Sequence, residues 1–248
     1  MPKFFVKSEQ IKDDKIINII GEDVKHISKV LRAKIGDEIN ICNSDNGYNY
    51  LCNILKVEDT NIICNIKEKL DSISEPNVYI HVIQGLPKSD KMEWIIEKGT
   101  EIGVSEFTPI RMKYCVCKAE GKDAIKKVER WNKISEVAAK QSGRDYIPKV
   151  NPILNFEKVY QIIEKCDIVL VAYEKEKNIS LKHELENIKI KNPTIGVIIG
   201  PEGGISEEEI NFLKEKNAKV ITLGPRILRT ETAPLVISGN ILYALENI

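Results

Sequence analysis

The sequence predicts an α/β protein in which a helix-covered parallel sheet follows a small, curled β-sheet or barrel. Three observations carry that expectation. From residue 78 onward short apolar runs alternate with helical patterns, the grammar of parallel strands joined by crossover helices. Before it, residues 1–70 read as strands around one helix, punctuated by the turn signals Gly36-Asp37, Asp45-Asn46-Gly47 and Glu58-Asp59-Thr60-Asn61. Between them, residues 71–77 are polar and contain Pro76, so the predicted domains are 1–72 and 73–248.

In the first domain, 4–6 is a short apolar strand. Residues 22–31 form a helix with Val24, Ile27, Val30 and Leu31 on one face. Strands follow at 38–42, 48–57 and 62–66, their apolar sides supplied by Ile39, Ile41, Ile54, Val57, Ile62, Cys64 and Ile66. That is little core for a free-standing unit. In the second domain, strands at 78–84, 106–110, 168–172, 194–199 and 219–223 alternate with helices at 89–102, 122–141, 155–164 and 207–216. A last helix fills most of 231–245. Trp94 and Trp131 sit at helical spacing among apolar neighbours and read as core.

With 248 residues, 42% apolar and 30% charged, the chain is long enough for one or two folded domains and is neither disordered nor collagen-like. No run approaches the ~18 to 20 apolar residues of a bilayer span. The opening MPKFFVKSEQ lacks the apolar region of a secretory signal, so the expectation is a soluble, cytoplasmic protein without membrane attachment. The six cysteines then read as reduced. Cys115-x-Cys117 misses the usual zinc spacing and the three histidines are scattered, so no metal is expected. Basic and acidic residues balance at 37 each, yet 86–150 carries 14 basic against 10 acidic side chains. Such an island suits a polyanion, or is a set of solvated helix faces.

Two loops near the C-terminus carry the chemistry. Gly200-Pro201-Glu202-Gly203-Gly204-Ile205-Ser206 follows an all-apolar strand. Ligands in open α/β sheets sit beyond the carboxyl ends of strands, where glycines let backbone amides approach closely. The alternative is a tight turn needing positive φ. Ser206 with Glu209 forms a capping box that starts a helix at once. The second loop, Gly224-Pro225-Arg226-Ile227-Leu228-Arg229-Thr230-Glu231-Thr232-Ala233-Pro234, lies one βαβ unit further on, so both should emerge on one sheet edge. Ile227 and Leu228 offer an apolar wall suited to an adenine and a methionine-like chain. Arg229 stands at the rim. Thr230 or Thr232 can cap the last helix, where Glu231 is also at home.

The segments HISKVLRAKIGDEI, KMEWIIEKGTEIGVSEFTPI, AAKQSGRDYIPKV, IIGPEGGISEEEI and LGPRILRTETAPL, in this order along nearly the whole chain, resemble those of the bacterial 16S ribosomal RNA uracil-N3 methyltransferases. These are S-adenosylmethionine-dependent enzymes of the SPOUT class. The resemblance implies a PUA-like RNA-binding barrel followed by a SPOUT α/β domain, with a C-terminal trefoil knot within about residues 195–245 and a homodimeric assembly. By motif match the cofactor would touch Tyr173, Glu174, Gly200, Pro201, Glu202, Gly203, Leu223, Gly224, Ile227, Leu228, Thr232 and Ala233. The implied substrate is the uridine at nucleotide position 1498 in the assembled small ribosomal subunit.

Uracil N3 carries a proton that must leave before its lone pair can attack, so the site needs a positive charge at the flanking carbonyls and a proton acceptor. Arg229 is the candidate for the first and Glu231, or solvent, for the second. Candidate RNA contacts in or beside matched segments are Lys3, Arg32, Lys88, Lys91, Lys140, Gln141 and Arg144. Lys3 departs from the family's usual arginine, which keeps charge but loses bidentate phosphate binding. Two other readings fit the same residues: a SPOUT methyltransferase acting on a different RNA nucleotide, and a non-catalytic RNA-binding or ribosome-assembly factor.

Overall fold

The computed structural model describes residues 3–72 and 74–246. The chain forms two compact units, residues 1–75 with 139–147, and residues 76–138 with 148–248.

The first unit is built on a six-stranded sheet: β1 (Lys3–Val6), β2 (Ile11–Lys12), β3 (Ile16–Ile20), β4 (Glu38–Asn43), β5 (Asn49–Val57) and β6 (Asn61–Leu70). Their order is β1-β4-β5-β6-β3-β2. β1 runs parallel to β4 and every other pairing is antiparallel. Alternate residues face inward, so Phe4, Val6, Ile17, Ile19, Ile39, Ile41, Ile54, Ile62 and Cys64 form one apolar core.

Strand β3 escaped the sequence reading, although Asp13 and Asp14, both with positive φ, turn the chain into the run Ile16-Ile17-Asn18-Ile19-Ile20. The helix expected at 22–31 is regular only over α1 (Glu22–Lys25). It then widens into a π-helical turn at His26–Val30. The wider turn breaks the 3.6-residue period: Val24 and Ile27 stay buried, whereas Val30 is 70% exposed and Leu31 is exposed too.

The stretch 139–147 joins this unit through charge. Arg144 grips Glu75, with Nη2 2.5 Å and Nε 3.2 Å from its two carboxylate oxygens. Asp145 accepts from Lys3 and from Ser72 Oγ (2.7 Å), and the Cys42 thiol donates to the Asp145 carbonyl.

The second unit is a parallel sheet of β7 (Tyr79–Gly85), β8 (Glu106–Arg111), β9 (Lys149–Val150), β10 (Leu154–Asn155), β11 (Ile168–Ala172), β12 (Thr194–Ile199) and β13 (Lys219–Ile221). The order is β10-β8-β7-β12-β11-β13, with β9 beside β8. Successive residues point to opposite faces, and both faces are covered. Val82, Leu170 and Val197 enter one apolar cluster; Ile83, Val169, Val171 and Ile198 enter the other.

The helices are α2 (Lys91–Ile102), α3 (Gly121–Ser142), α4 (Tyr160–Ile163), α5 (Leu181–Glu186), α6 (Glu207–Glu215) and α7 (Ala233–Glu246). The expected helix at 155–164 divides into a 3-10 turn, Phe156–Lys158, and α4. Trp131 is buried as expected, but Trp94 is half exposed, its ring under the Lys98 ammonium. The core side of α2 is carried by Met92, Ile95, Ile96 and Gly99 instead. None of the helices described is long and apolar enough to cross a membrane.

Candidate active site

Three strands set the position of the site. β11 pairs with β12 on one side and β13 on the other, in a register that aligns Ala172 with both Ile199 and Ile221. Parallel strands with level carboxyl ends release their loops on one edge. Those loops enclose a cavity of about 980 Å³, within the range that buries a cofactor-sized ligand.

Each loop is held by specific bonds. The first is tied to the third strand by the Tyr173 N–H, which donates to the Ile221 carbonyl at 3.1 Å. The second passes directly into α6 through the expected capping box: Ser206 Oγ accepts from the Glu209 N–H and Glu209 Oε2 from the Ser206 N–H. Glu209 Oε1 also accepts from the Lys113 N–H at 2.8 Å.

The glycines here are required on two grounds. A Cβ on Gly200 would lie 2.7 Å from Ile205 Cγ1 and 3.0 Å from the Gly204 carbonyl carbon. Gly204 has φ +77°, and a Cβ there would meet Glu174 Oε1 at 2.8 Å. The tight turn thus needs its glycines, and the same turn borders the cavity.

The third loop is latched to the second by a fully buried side chain, Gln84, at the end of β7. Its Nε2 donates to Thr230 Oγ1 at 2.9 Å, and Thr230 Oγ1 donates to the Gly200 carbonyl at 2.7 Å. Thr230 thus directs its hydroxyl to the neighbouring loop. The sequence does not single out Gln84 because its partners lie far along the chain; its signal is one amide in a strand that is largely apolar and buried after Tyr79.

Tyr173, Glu174, Gly200, Pro201, Glu202, Gly203, Leu223, Gly224, Ile227, Leu228 and Ala233 all line the one cavity, together with Arg229. Thr232 does not; its N–H donates to the Arg229 carbonyl at 2.9 Å, closing the turn into α7. Lys91, placed among RNA candidates by sequence, also lines the cavity.

The Arg229 side chain is 83% exposed and its Nη1 stands 3.9 Å from Glu231 Oε1, whereas Glu231 is only 16% exposed. Lys91 Nζ lies 2.8 Å from Glu202 Oε1 and 3.2 Å from Glu231 Oε2. The Lys88 N–H adds a bond of 3.1 Å to Glu202. Burial alone would raise the Glu202 pKa, but the Lys91 ammonium and the backbone donors outweigh it and hold the carboxyl below its usual range. The bond to Glu202, more than that to Glu231, pushes the Lys91 ammonium above its usual value.

The other RNA candidates stand in varied settings. Lys88 and Gln141 are exposed, as is Arg32, which has φ +54°. Lys3 is paired with Asp145, and Lys140 Nζ holds Asp23 Oδ1 at 2.9 Å. Arg144 is 3% exposed and engaged with Glu75. The glycine turn after α3 therefore carries that guanidinium inward instead of presenting it to phosphate. The six cysteines are free thiols.

Comparison with known proteins agrees with this architecture. A family described as an RNA methyltransferase domain matches residues 74–242, and one described as an RNA methyltransferase PUA domain matches residues 19–67. The chain is 38% identical to the ribosomal RNA small subunit methyltransferase E of Bacillus subtilis (strain 168), over 99% of this chain and 98% of that protein. It is 33% identical to the protein of the same name from Aquifex aeolicus (strain VF5), over 91% and 93%. Among solved structures, a ribosomal RNA small subunit methyltransferase E from Neisseria gonorrhoeae bound to S-adenosyl methionine superposes with a TM-score of 0.82 at 26% identity, covering 98% and 97% of the chains. A putative methyltransferase from Legionella pneumophila, in complex with the bound cofactor SAM, gives 0.84 at 26% identity over 98% of each chain.

Proposed function

This chain belongs to the ribosomal RNA small subunit methyltransferase E family, and on that premise we propose that it methylates N3 of a uracil in 16S ribosomal RNA, using S-adenosylmethionine. The substrate under this reading is the uridine at position 1498 in the assembled small subunit. The observation that carries it is one cavity bounded by three level loops, with an exposed guanidinium at its rim.

The residues fit the cofactor. Ile199, Leu223, Ile227 and Leu228 give an apolar wall, Glu174 and Glu202 give carboxylates suited to a cationic ligand, and Gly200, Gly203 and Gly204 bring backbone to the cavity's edge without a side chain. When bound, S-adenosylmethionine supplies an electrophilic methyl group on a sulfonium. The protein's share is to hold the uracil, remove its N3 proton and stabilise the resulting anion. Arg229 places positive charge at the uracil carbonyl oxygens, where one such donor is worth about 3 kcal/mol of transition-state stabilisation. Glu231, half a turn before α7 and mostly shielded, accepts the proton.

We read the stretch from about 195 to 245 as a trefoil knot of the SPOUT class, supported by the packing of Thr230 on Gly200. Knots are rare among folds. We also read the protein as a homodimer; in support, Ile227 is 84% exposed and Val236 and Tyr243, seven residues apart on α7, are exposed with it. The first unit, with Arg32, and the cations beside the cavity would face RNA. Nucleoside mass spectrometry of small-subunit RNA from cells lacking this protein tests the assignment. Loss of 3-methyluridine at that one position supports it; an unchanged nucleoside, with a methyl lost elsewhere, moves the substrate to another nucleotide.

A further inference from the structure

We propose that Lys91 is a positioning residue for methyl transfer, an ammonium clamp that orients Glu231 and balances the charge at the cavity rim. The proposal rests on the reading of Glu231 and Arg229 given above. Lys91 is the first residue of α2, and its side chain reaches across to two different loops. It meets Glu202 of the glycine loop at 2.8 Å and Glu231 of the arginine loop at 3.2 Å. The two carboxylates have no hydrogen bond to each other, so the ammonium is what joins them.

The geometry assigns the two Glu231 oxygens different tasks. Oε2 faces Lys91, and Oε1 faces Arg229 at 3.9 Å. Oε2 is shielded from solvent and held by charge and not by a hydrogen bond; that attraction leaves Oε1 on the Arg229 side, where a proton acceptor is needed.

The charge count points the same way. With Glu231 beside it, the cavity carries four carboxylates (Glu174, Glu176, Glu202 and Glu231) against four cations (Lys91, Lys177, Arg226 and Arg229). Without Lys91, Glu231 is left with the 3.9 Å approach of the Arg229 guanidinium, and the balance at the cavity turns negative where an anionic uracil has to form. Glu202 would still be anchored by the Lys88 N–H, so the cofactor wall would stand. Loss of Lys91 should therefore weaken the chemical step and spare cofactor binding, a split that a residue serving only to hold the fold would not produce.

The test uses the full-length protein with small ribosomal subunits and compares Lys91→Met, Lys91→Arg, Glu231→Gln, the double variant Lys91→Met with Glu231→Gln, and Lys98→Met. Lys98 lies on the same helix but pairs with Glu97 and Glu101, so its variant controls for charge loss on α2. Lys91→Met should lower kcat by ~10-fold or more, while the calorimetric Kd for S-adenosylmethionine stays within about threefold. Lys91→Arg should restore most of the rate, Lys98→Met should match the parent protein, and the double variant should be no slower than Glu231→Gln alone. Full activity of Lys91→Met beside an impaired Glu231→Gln overturns the clamp and leaves the reading of Glu231 intact. Full activity of Glu231→Gln removes Glu231 from the chemistry, and the clamp with it. A loss of cofactor affinity in step with kcat makes Lys91 a structural residue and overturns the proposal as well.

Discussion

The Arg229 side chain is exposed and approaches Glu231 Oε1 at 3.9 Å, while its backbone carbonyl accepts from the Thr232 and Ala233 N–H groups at the start of α7, and it sits on a loop that lines the cavity. An arginine side chain so weakly engaged in the fold is available to a ligand. Replacing it with alanine should therefore leave folding and S-adenosylmethionine binding intact and lower turnover by ~100-fold. Normal turnover by Arg229→Ala would remove it from the chemistry. Arg144 is the contrasting case: buried and bonded to Glu75, it holds the first unit together. Both arginines stand beside glycine-bearing turns in the sequence, and burial is what separates their roles.

At the scale of elements, the site depends on a latch between loops. Gln84 and Thr230 bind the third loop to the second through bonds of 2.9 and 2.7 Å, all removed from water. Gln84→Leu keeps the strand but leaves the Thr230 hydroxyl with one partner fewer. It should cost about 1–3 kcal/mol in urea unfolding and weaken S-adenosylmethionine binding in calorimetry. Unchanged affinity would show that the loops hold their places without the latch. This is also where the limits of reading a sequence show. β11 and β12 are legible as short runs of mostly buried apolar residues, and the α6 start is legible because Ser206 and Glu209 are local partners. Gln84, by contrast, meets Thr230 across 146 positions, and no local pattern reports that. Val30 and Leu31 were misplaced for a different reason: one widened turn shifts the whole helical face that follows.

At the scale of the whole molecule, acid stability separates the units. In the second, burial, opposed by Glu106, holds the His81 imidazole below the ordinary value of 6.5. The unfolded chain then takes up a proton near that value that the folded unit does not, so stability falls as pH drops through it. In the first unit, burial would raise the Asp145 pKa, but Lys3, Ser72 and Ser74 outweigh it and hold the carboxyl below 3.8. Its contribution is present above 3.8 and is lost only as pH falls through the lower, folded value. Thermal melts followed by hydrogen exchange should therefore show the second unit weakening between about pH 7 and pH 5.5, with the Asp145 network giving way only below about pH 4. The reverse order would contradict both assignments. The division of the chain was itself only partly legible: the polar stretch at 71–77 marks the chain's passage between units, but the return of 139–147 to the first unit rests on Arg144, Asp145 and Glu75, which are distant in sequence and ordinary in composition.

The most direct measurement for the central claim is hydrogen–deuterium exchange of the full-length protein with and without S-adenosylmethionine. Protection confined to peptides spanning 172–177, 199–205 and 222–230 is the predicted result, because those loops bound the cavity. Protection centred on other segments, or none at saturating cofactor, would contradict the account.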